Sequence, residues 1–270
     1  MTTYTTSIKD VDREVNTLRC QFQAVGSTFA FCVYHVDGLL IDTGPPRAPH
    51  IVEPFVQNHS PQKIFITHHH EDHLGNAKRF QDQYQIPVYM SEATNQTISS
   101  IKDIPFYRRM VWGNPQWPEA QIIQKEICTE KYCFQMIPTP GHCSDHHVLF
   151  EEQNGWLFAG DLYIGTHLKT GFRGEYVMDM IQSIESLLNL PITTLFCGHA
   201  GIISNGKTAL SKKLDFLNRL VNDVRQLQKK GYSAHQVTSK LFRRNWFAES
   251  FSFGGMSPFH LVNSIYREII

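Results

Sequence analysis

The sequence predicts a mixed α/β fold of the α+β kind, in which two packed sheets lie between helices and a helical extension follows. Three observations carry this. Strand-like apolar segments come in two runs, and each run is followed by helical periodicity. Beyond Asn205 strand character fades and long helical stripes take over. The 270 residues, 41% hydrophobic and 19% charged, suffice for one large domain with a full core plus a smaller appendage.

In chain order, Gln21-Phe22-Gln23-Ala24-Val25 alternates like a strand, Gly26-Ser27 is a turn, and Phe29–His35 is a second apolar stretch. Asp37-Gly38 reads as a tight hairpin turn into Leu39-Leu40-Ile41, which stops at Asp42-Thr43-Gly44-Pro45-Pro46. Ala48–Asn58 has helical spacing, Lys63–Thr67 is a short buried strand, Asn76–Tyr84 is a helix and Val88–Met90 another strand. Residues 92–122, with Phe106, Tyr107, Arg108, Arg109, Trp112 and Trp117, read as a helical insertion. Aromatics packed into the core are the favoured reading there, with a cover over a pocket as the alternative. Strands resume at Phe134–Ile137, His147–Phe150 and Trp156–Ala159. Glu175–Leu188 is an amphipathic helix and Thr194–Cys197 a last strand. Leu210, Leu214, Leu217, Leu220, Val221, Val224 and Leu227 form one long helical stripe. Two further helices, 233–242 and 257–269, start at the potential N-caps Ser233 and Ser257. The expected organisation is a catalytic domain over residues 1–205 and a helical extension over 206–270.

Composition narrows the partners. With 25 basic and 25 acidic residues, no net field draws nucleic acid or an anionic membrane to the chain. A local basic patch from Lys212-Lys213, Lys229-Lys230 and Arg243-Arg244 would be the exception. Met1–Lys9 is polar, so no secretory signal is expected, and no apolar run reaches transmembrane length. The six cysteines contain no C-x-x-C pair, and reduced thiols in a cytoplasmic protein are the expectation.

The chemistry concentrates in T-H-H-H-E-D-H-L-G, residues 67–75, just after an apolar strand. His68 and His70 are two apart, so in extended chain they point the same way, while Asp72 and His73 fall on the turn into a helix. Two neighbouring points offered nitrogen and oxygen donors suit a pair of metals, which in catalytic sites sit roughly 3.5–4 Å apart. More potential ligands follow strands elsewhere: Asp42 after Leu39–Ile41, His142 in Thr-Pro-Gly-His, Asp161 after Gly160, and His199 after Gly198.

In this order the motifs Asp42-Thr-Gly, H-x-H-x-D-H at 68–73, Pro-Gly-His142, Gly-Asp161 and Gly-His199 resemble the metallo-β-lactamase fold superfamily, over residues from about 20 to 205. The resemblance implies a four-layered αββα sandwich with metals at one edge of the sheets. It implies that His68, His70 and His142 hold one divalent ion, that Asp72, His73 and His199 hold a second, and that Asp161 bridges them. Asp42 would orient a ligand from behind. The implied activity is hydrolysis by a hydroxide bound between two metals, with Asp72 also orienting it. Such nitrogen and oxygen donors suit zinc first and are also compatible with iron or manganese. Aspartate at 161 resembles the glyoxalase II-like and ribonuclease Z-like branches, whereas one branch of zinc β-lactamases carries cysteine there. The flavodiiron branch has glutamate where His70 stands, which sets a redox role aside.

His69 and Glu71 read as bystanders, Cys143 and Cys197 as packing residues. His147 reads as structural, and so does His146, with support of the site as its alternative. Substrate contacts are expected from the polar loop after Asp161, at Tyr163, His167, Lys169, Arg173 and Tyr176. The substrate is expected to be a small molecule bearing a thioester, ester or lactone. A phosphodiester, possibly in RNA, is the alternative hydrolytic reading. A non-catalytic small-molecule-binding or signalling protein is a third, set back by the completeness of the donor set.

Overall fold

The structure is a computed structural model and describes residues 4–11, 14–24, 26–243 and 245–267. The first sheet has seven strands in chain order: β1 (Tyr4–Val11), β2 (Val15–Ala24), β3 (Ser27–Val36), β4 (Leu39–Ile41), β5 (Lys63–Phe65), β6 (Val88–Ser91) and β7 (Ala120–Ile123). β1 to β4 pair antiparallel. From β4 to β7 the pairing is parallel, and helices make the crossovers that parallel strands require. These are α1 (Pro49–His59), α2 (Glu71–Leu74), α3 (Ala77–Tyr84), α4 (Glu92–Ser100) and α5 (Phe106–Trp112).

The second sheet runs β13-β12-β11-β10-β9-β8. Its strands are β8 (Glu126–Cys128), β9 (Cys133–Pro138), β10 (His147–Glu151), β11 (Trp156–Gly160), β12 (Thr194–Cys197) and β13 (Gly201–Ser204). The parallel pair β11–β12 is joined through α6 (Val177–Leu187). The chain then continues as α7 (Gly206–Lys229), α8 (Ala234–Leu241), α9 (Trp246–Phe251) and α10 (Pro258–Arg267).

Strand alternation sorts the apolar side chains into three cores. Between the sheets, Tyr34, Ile41 and Phe65 meet Phe134, Phe158 and Phe196. The rings of Phe158 and Phe196 stack at 4.5 Å, and burying each such ring contributes about 1.5–3 kcal/mol. On the outer face of the first sheet, Val52, Phe55 and Phe80 of α1 and α3 cover Phe31, Val33 and Ile64. On the outer face of the second, Ile184, Leu217, Val221 and Leu261 cover Val148, Leu157 and Leu195. The layers are therefore helix, sheet, sheet, helix. Residues 206–267 contribute to the same core as β10–β12.

Several elements depart from the sequence expectations. The polar β1 pairs with β2 along its whole length, as an edge strand without an apolar signature. Residues 92–122 are two helices and the edge strand β7 rather than one helical insertion. β8, β13 and α9 are too short to leave a periodic trace. Ser233 forms a full capping box with Gln236, and Ser257 Oγ accepts the Phe259 N–H. Val25, Arg244 and the final turn at 268–269 lie outside the described residues.

Two corrections bear on chemistry. The expectation of six reduced thiols fails for Cys128 and Cys133, which form a disulfide because the β8–β9 hairpin sets them opposite each other, Cα atoms 4.1 Å apart. The other four cysteines are free and buried. Lys213 is no part of a basic patch: it is 2% exposed and donates to Leu162 O at 2.7 Å. Helical spacing explains this, since position 213 lies three after Leu210 and four before Leu217, on the buried stripe.

Candidate metal centre

Every motif residue sits where a strand ends. Asp42 follows β4, residues 67–73 follow β5, His142 follows β9, Asp161 follows β11 and His199 follows β12. Asp42 adopts φ 59°, and the sharp turn aims its carboxylate back across β5. There Oδ1 accepts the Thr67 N–H at 2.9 Å, and Oδ2 accepts the His73 Nδ1–H at 2.7 Å. His70 is the extended N-cap of the single turn α2, so Asp72 and His73 enter the site from its first residues. Two glycines permit the closeness. A Cβ at Gly198 would stand 2.6 Å from His73 Cε1 and 2.9 Å from Asp161 Oδ1; one at Gly160, which has φ 45°, would stand 2.6 Å from His146 Nε2.

Two adjacent groups of donors result. The ligand atoms of His68, His70, His142 and Asp161 lie within 4.8 Å of one another, as do those of Asp72, His73 and His199. Asp161 faces both groups: its carboxylate is 3.2 Å from His73 Nε2, 3.3 Å from His142 Nε2 and 3.1 Å from His199 Nε2. A third grouping, His69, His70 and Cys143, also meets the distance. His69 Nδ1, however, is committed to Asp145 at 2.7 Å.

The ring nitrogens show what the site is built to hold. His73 Nδ1 donates to Asp42, His142 Nδ1 to Glu175 Oε1 at 2.8 Å, and His199 Nδ1 to Ala30 O. His68 Nδ1 donates to Thr67 Oγ1, whose own hydrogen goes to Asp42. Each contact fixes the tautomer and turns Nε2 inward. His68 Nε2, His73 Nε2 and Asp161 Oδ1 are buried without a hydrogen-bond partner. His142 Nε2 meets His70 Nδ1 at 2.9 Å. Buried lone pairs converging without donors cost several kcal/mol unless something positive sits among them. The donor set therefore fits divalent cations.

The electrostatics agree. Burial opposes the charge of Asp161, yet His199 and His73 outweigh it and hold the carboxyl well below the usual range. Burial likewise opposes charge on His73 and His199, but Asp161 above all raises both, His199 to about 9. Burial, then His73, lowers His68. Protons on His73 and His199 can balance Asp161, and a bound cation would displace them.

Further residues hold this arrangement. His146, read as structural from the sequence, accepts the Asp161 N–H at its Nε2 at 3.0 Å and donates from Nδ1 to Thr139 Oγ1. It is kept neutral by burial first and His142 second, with its pKa lowered to about 3. His147 Nδ1 bonds Asp145 O, a purely structural role. Asn76 Nδ2 clamps the carbonyls of Thr43, Gly44 and Pro45, joining the loops after β4 and β5. Glu71 is no ligand: it pairs with Arg108 of α5 at 2.7 Å. The part played by Glu175 is hidden in the sequence, where it reads only as the start of a helix.

A cavity of about 1100 Å³ opens over the donors. His167, Lys169, Arg173 and Tyr176 line it, as do Phe106, Tyr107 and Trp112 of α5. The 92–122 segment thus serves as both core and cover: Trp112 packs on Phe22 and Phe29, and also faces His199 at 6.2 Å. Tyr163 is placed otherwise than expected. It is buried in the core against α6 and α7, its hydroxyl on Thr166, because the turn after Asp161 directs it inward.

A model of the Metallo-beta-lactamase superfamily matches residues 33–199. The chain belongs to that superfamily. Members of this superfamily are in general metal-dependent hydrolases, in keeping with the His and Asp clusters here. Among solved structures, the chain is similar to a beta-lactamase domain protein from Burkholderia ambifaria, with 14% identity and a TM-score of 0.72 over 97% of this chain and 89% of that one. It is similar to a metallo-beta-lactamase from Pontibacter korlensis, with 18% identity and a TM-score of 0.64 over 79% of this chain and 99% of that one. A metallo-beta-lactamase family protein from Thermus thermophilus aligns at 16% identity and a TM-score of 0.63, over 98% of this chain and 93% of that one. At these identities the likeness concerns the fold. No helix among the described residues is long and apolar enough to cross a membrane.

Proposed function

We propose that the protein is a dinuclear metal-dependent hydrolase of the glyoxalase II-like kind, acting on a thioester, ester or lactone of a small molecule. The observation that carries this is the inward convergence of bare, buried nitrogens of His68 and His73 with Asp161 Oδ1, at the floor of a cavity. His68, His70 and His142 would hold one ion, Asp72, His73 and His199 the other, with Asp161 between them. Two zinc ions are the expected occupants, which would polarise the scissile carbonyl and make water acidic enough to react near neutral pH.

The chain's own residues do the rest. Asp72 lies on the cavity wall, Oδ2 3.4 Å from His199 Nε2, where it orients the attacking water and receives its proton. Asp42 and Glu175 hold His73 and His142 in the tautomer that presents Nε2. Phe29 and Trp112 form an apolar side of the cavity next to His199. Aspartate rather than a thiol at position 161 supports the glyoxalase II-like reading over that of a β-lactamase. Of the basic pairs behind the phosphodiester alternative, Lys212-Lys213 loses one member, since Lys213 is buried, while Lys212, Lys229, Lys230 and Arg243 are exposed.

Metal analysis of protein purified in the presence of zinc should find about two ions per chain. Well under one would refute the site. The loaded enzyme should cleave at least one of S-acyl glutathione, homoserine lactone and simple aryl esters, in preference to bis-p-nitrophenyl phosphate or nitrocefin. Cleavage of none of the ester or thioester members would end the proposal. Asp161→Ala should lose metal and turnover together.

A further inference from the structure

We propose that the cavity takes an amphiphilic anion: an ester or thioester whose apolar body lies on the aromatic wall made by α5 and the α9–α10 connection, and whose negative group is held by Arg173 and Lys169. The reacting bond in this proposal rests on the hydrolase reading; the binding does not.

The wall is apolar where it need not be. Phe106 is 58% exposed and Phe253 79% exposed, yet both line the same opening, together with Phe172 and Met256. Single exposed phenylalanines are ordinary, but several converging on one mouth mark a surface that an apolar ligand covers. At about 1100 Å³ the space far exceeds an acetyl group and suits a long or bulky body.

The charges are one-sided. The acids on the cavity wall, Asp72, Asp161 and Glu175, are all engaged with histidines of the centre. Arg108 is engaged with Glu71. Lys169 and Arg173 line the cavity too, and their side chains make no hydrogen bond or ion pair with the described residues. Both are exposed and hydrated, so they attract an anionic group and repel a cationic one. The planar fork of Arg173 matches a carboxylate or a sulfate in two-pronged fashion.

The two halves of the subsite are built as one piece. The Arg173 N–H donates to Gly255 O at 3.2 Å, Phe172 bridges to Met256, and Gly171 and Ser257 exchange backbone hydrogen bonds. The loop bearing the cations is thus laced to the segment bearing Phe253 and Met256. At its other end α9 reaches the β2–β3 turn, where the Phe247 ring lies against Gly26. The C-terminal helices therefore complete the pocket, although they contribute nothing to the donor set.

Calorimetric titration tests this with decanoate, decyl sulfate and decyltrimethylammonium, each below its micelle-forming concentration, on the zinc-loaded full chain and on Arg173→Gln and Phe253→Ser. Thermal midpoints verify that both variants fold. Both anions should bind at least tenfold more tightly than the cation. Arg173→Gln should weaken the anions about tenfold and leave the cation unchanged, and Phe253→Ser should weaken all three by a few fold. A carboxylate-bearing substrate is assigned if decanoate binds more tightly, a sulfate-bearing one if decyl sulfate does. Equal affinity for anion and cation would overturn the proposal. So would anion affinity unchanged in Arg173→Gln, since the metals alone would then account for it. Expected binding by a protein that cleaves no ester or thioester would remove the hydrolase reading and leave this one standing. Ester hydrolysis without anion preference would do the reverse.

Discussion

Replacing Glu175 by glutamine removes one charge and almost no volume, and the structure states what must then go wrong. Oε1 accepts the His142 Nδ1–H at 2.8 Å, and Oε2 accepts the Phe172 N–H at 2.9 Å. Both neighbours are donors, and glutamine can answer only one of them with its single oxygen. If the oxygen serves Phe172, the amide NH2 faces His142, whose proton must move to Nε2. That nitrogen then no longer offers a lone pair beside His70 and Asp161. If the oxygen serves His142, the part-buried Phe172 N–H is left facing another donor, at about 1–3 kcal/mol. Losing such an outer partner typically lowers metal affinity 10–100-fold, roughly 1.4–2.7 kcal/mol. The assay is zinc competition against a chromogenic chelator, with the thermal midpoint of the metal-free protein followed in parallel. The variant should release the more weakly held ion at chelator concentrations that leave the wild type loaded. Affinity within twofold of wild type, in a variant that melts normally, would refute the claim that Glu175 sets the His142 tautomer.

Two other perturbations have definite signs. Gly198→Ala places a methyl group 2.6 Å from His73 Cε1, so stability should fall by about 1–3 kcal/mol and metal content with it; unchanged melting and metal would show that the loop gives way freely. His35 is held neutral by burial first and then by His59, its pKa lowered to about 4, and its Nε2 accepts the Gly38 N–H. The unfolded chain takes up that proton near pH 6.5 and the folded chain does not. Stability should therefore fall as pH drops from about 6.5 to 4, by roughly 1–3 kcal/mol, and level off below. Urea midpoints measured across that range should show a shallower slope in His35→Gln, and an unaltered slope would exclude His35 as the source.

The donors are legible in the sequence because each stands beside the strand that places it. His68 and His70 share a side by the two-residue repeat of an extended chain, and Asp42, Asp161 and His199 each follow an apolar run that could hardly be anything but a strand. The roles of Glu175 and His146 are not legible, because they depend on loops more than 10 residues away in sequence from the atoms they bond. Lys213 looks basic and exposed beside its neighbour Lys212, although the stripe of Leu210 and Leu217 already puts it inside. Tyr163 escapes the same reasoning because a loop after a ligand can turn either way. β1 carries no apolar pattern at all, since an edge strand needs only its backbone to pair.

Much of the cavity wall comes from α5, from residues 164–176 before α6 and from the α9–α10 connection, and none of these segments supplies a donor to the clusters. Two carboxylates nevertheless join walls to clusters. Glu71, one residue before Asp72, is tied to Arg108 of α5, and Glu175 of the loop is tied to His142. A ligand that shifts α5 or the loop can press on the histidines through these two short ionic contacts, and through the rings of Trp112 against His199 and Phe172 against His142. Substitutions at Phe253 or Lys169 should consequently alter which molecule is held while leaving metal affinity alone. Substitutions at Arg108 or Glu175 should alter both, because there the pocket and the metal centre are one structure.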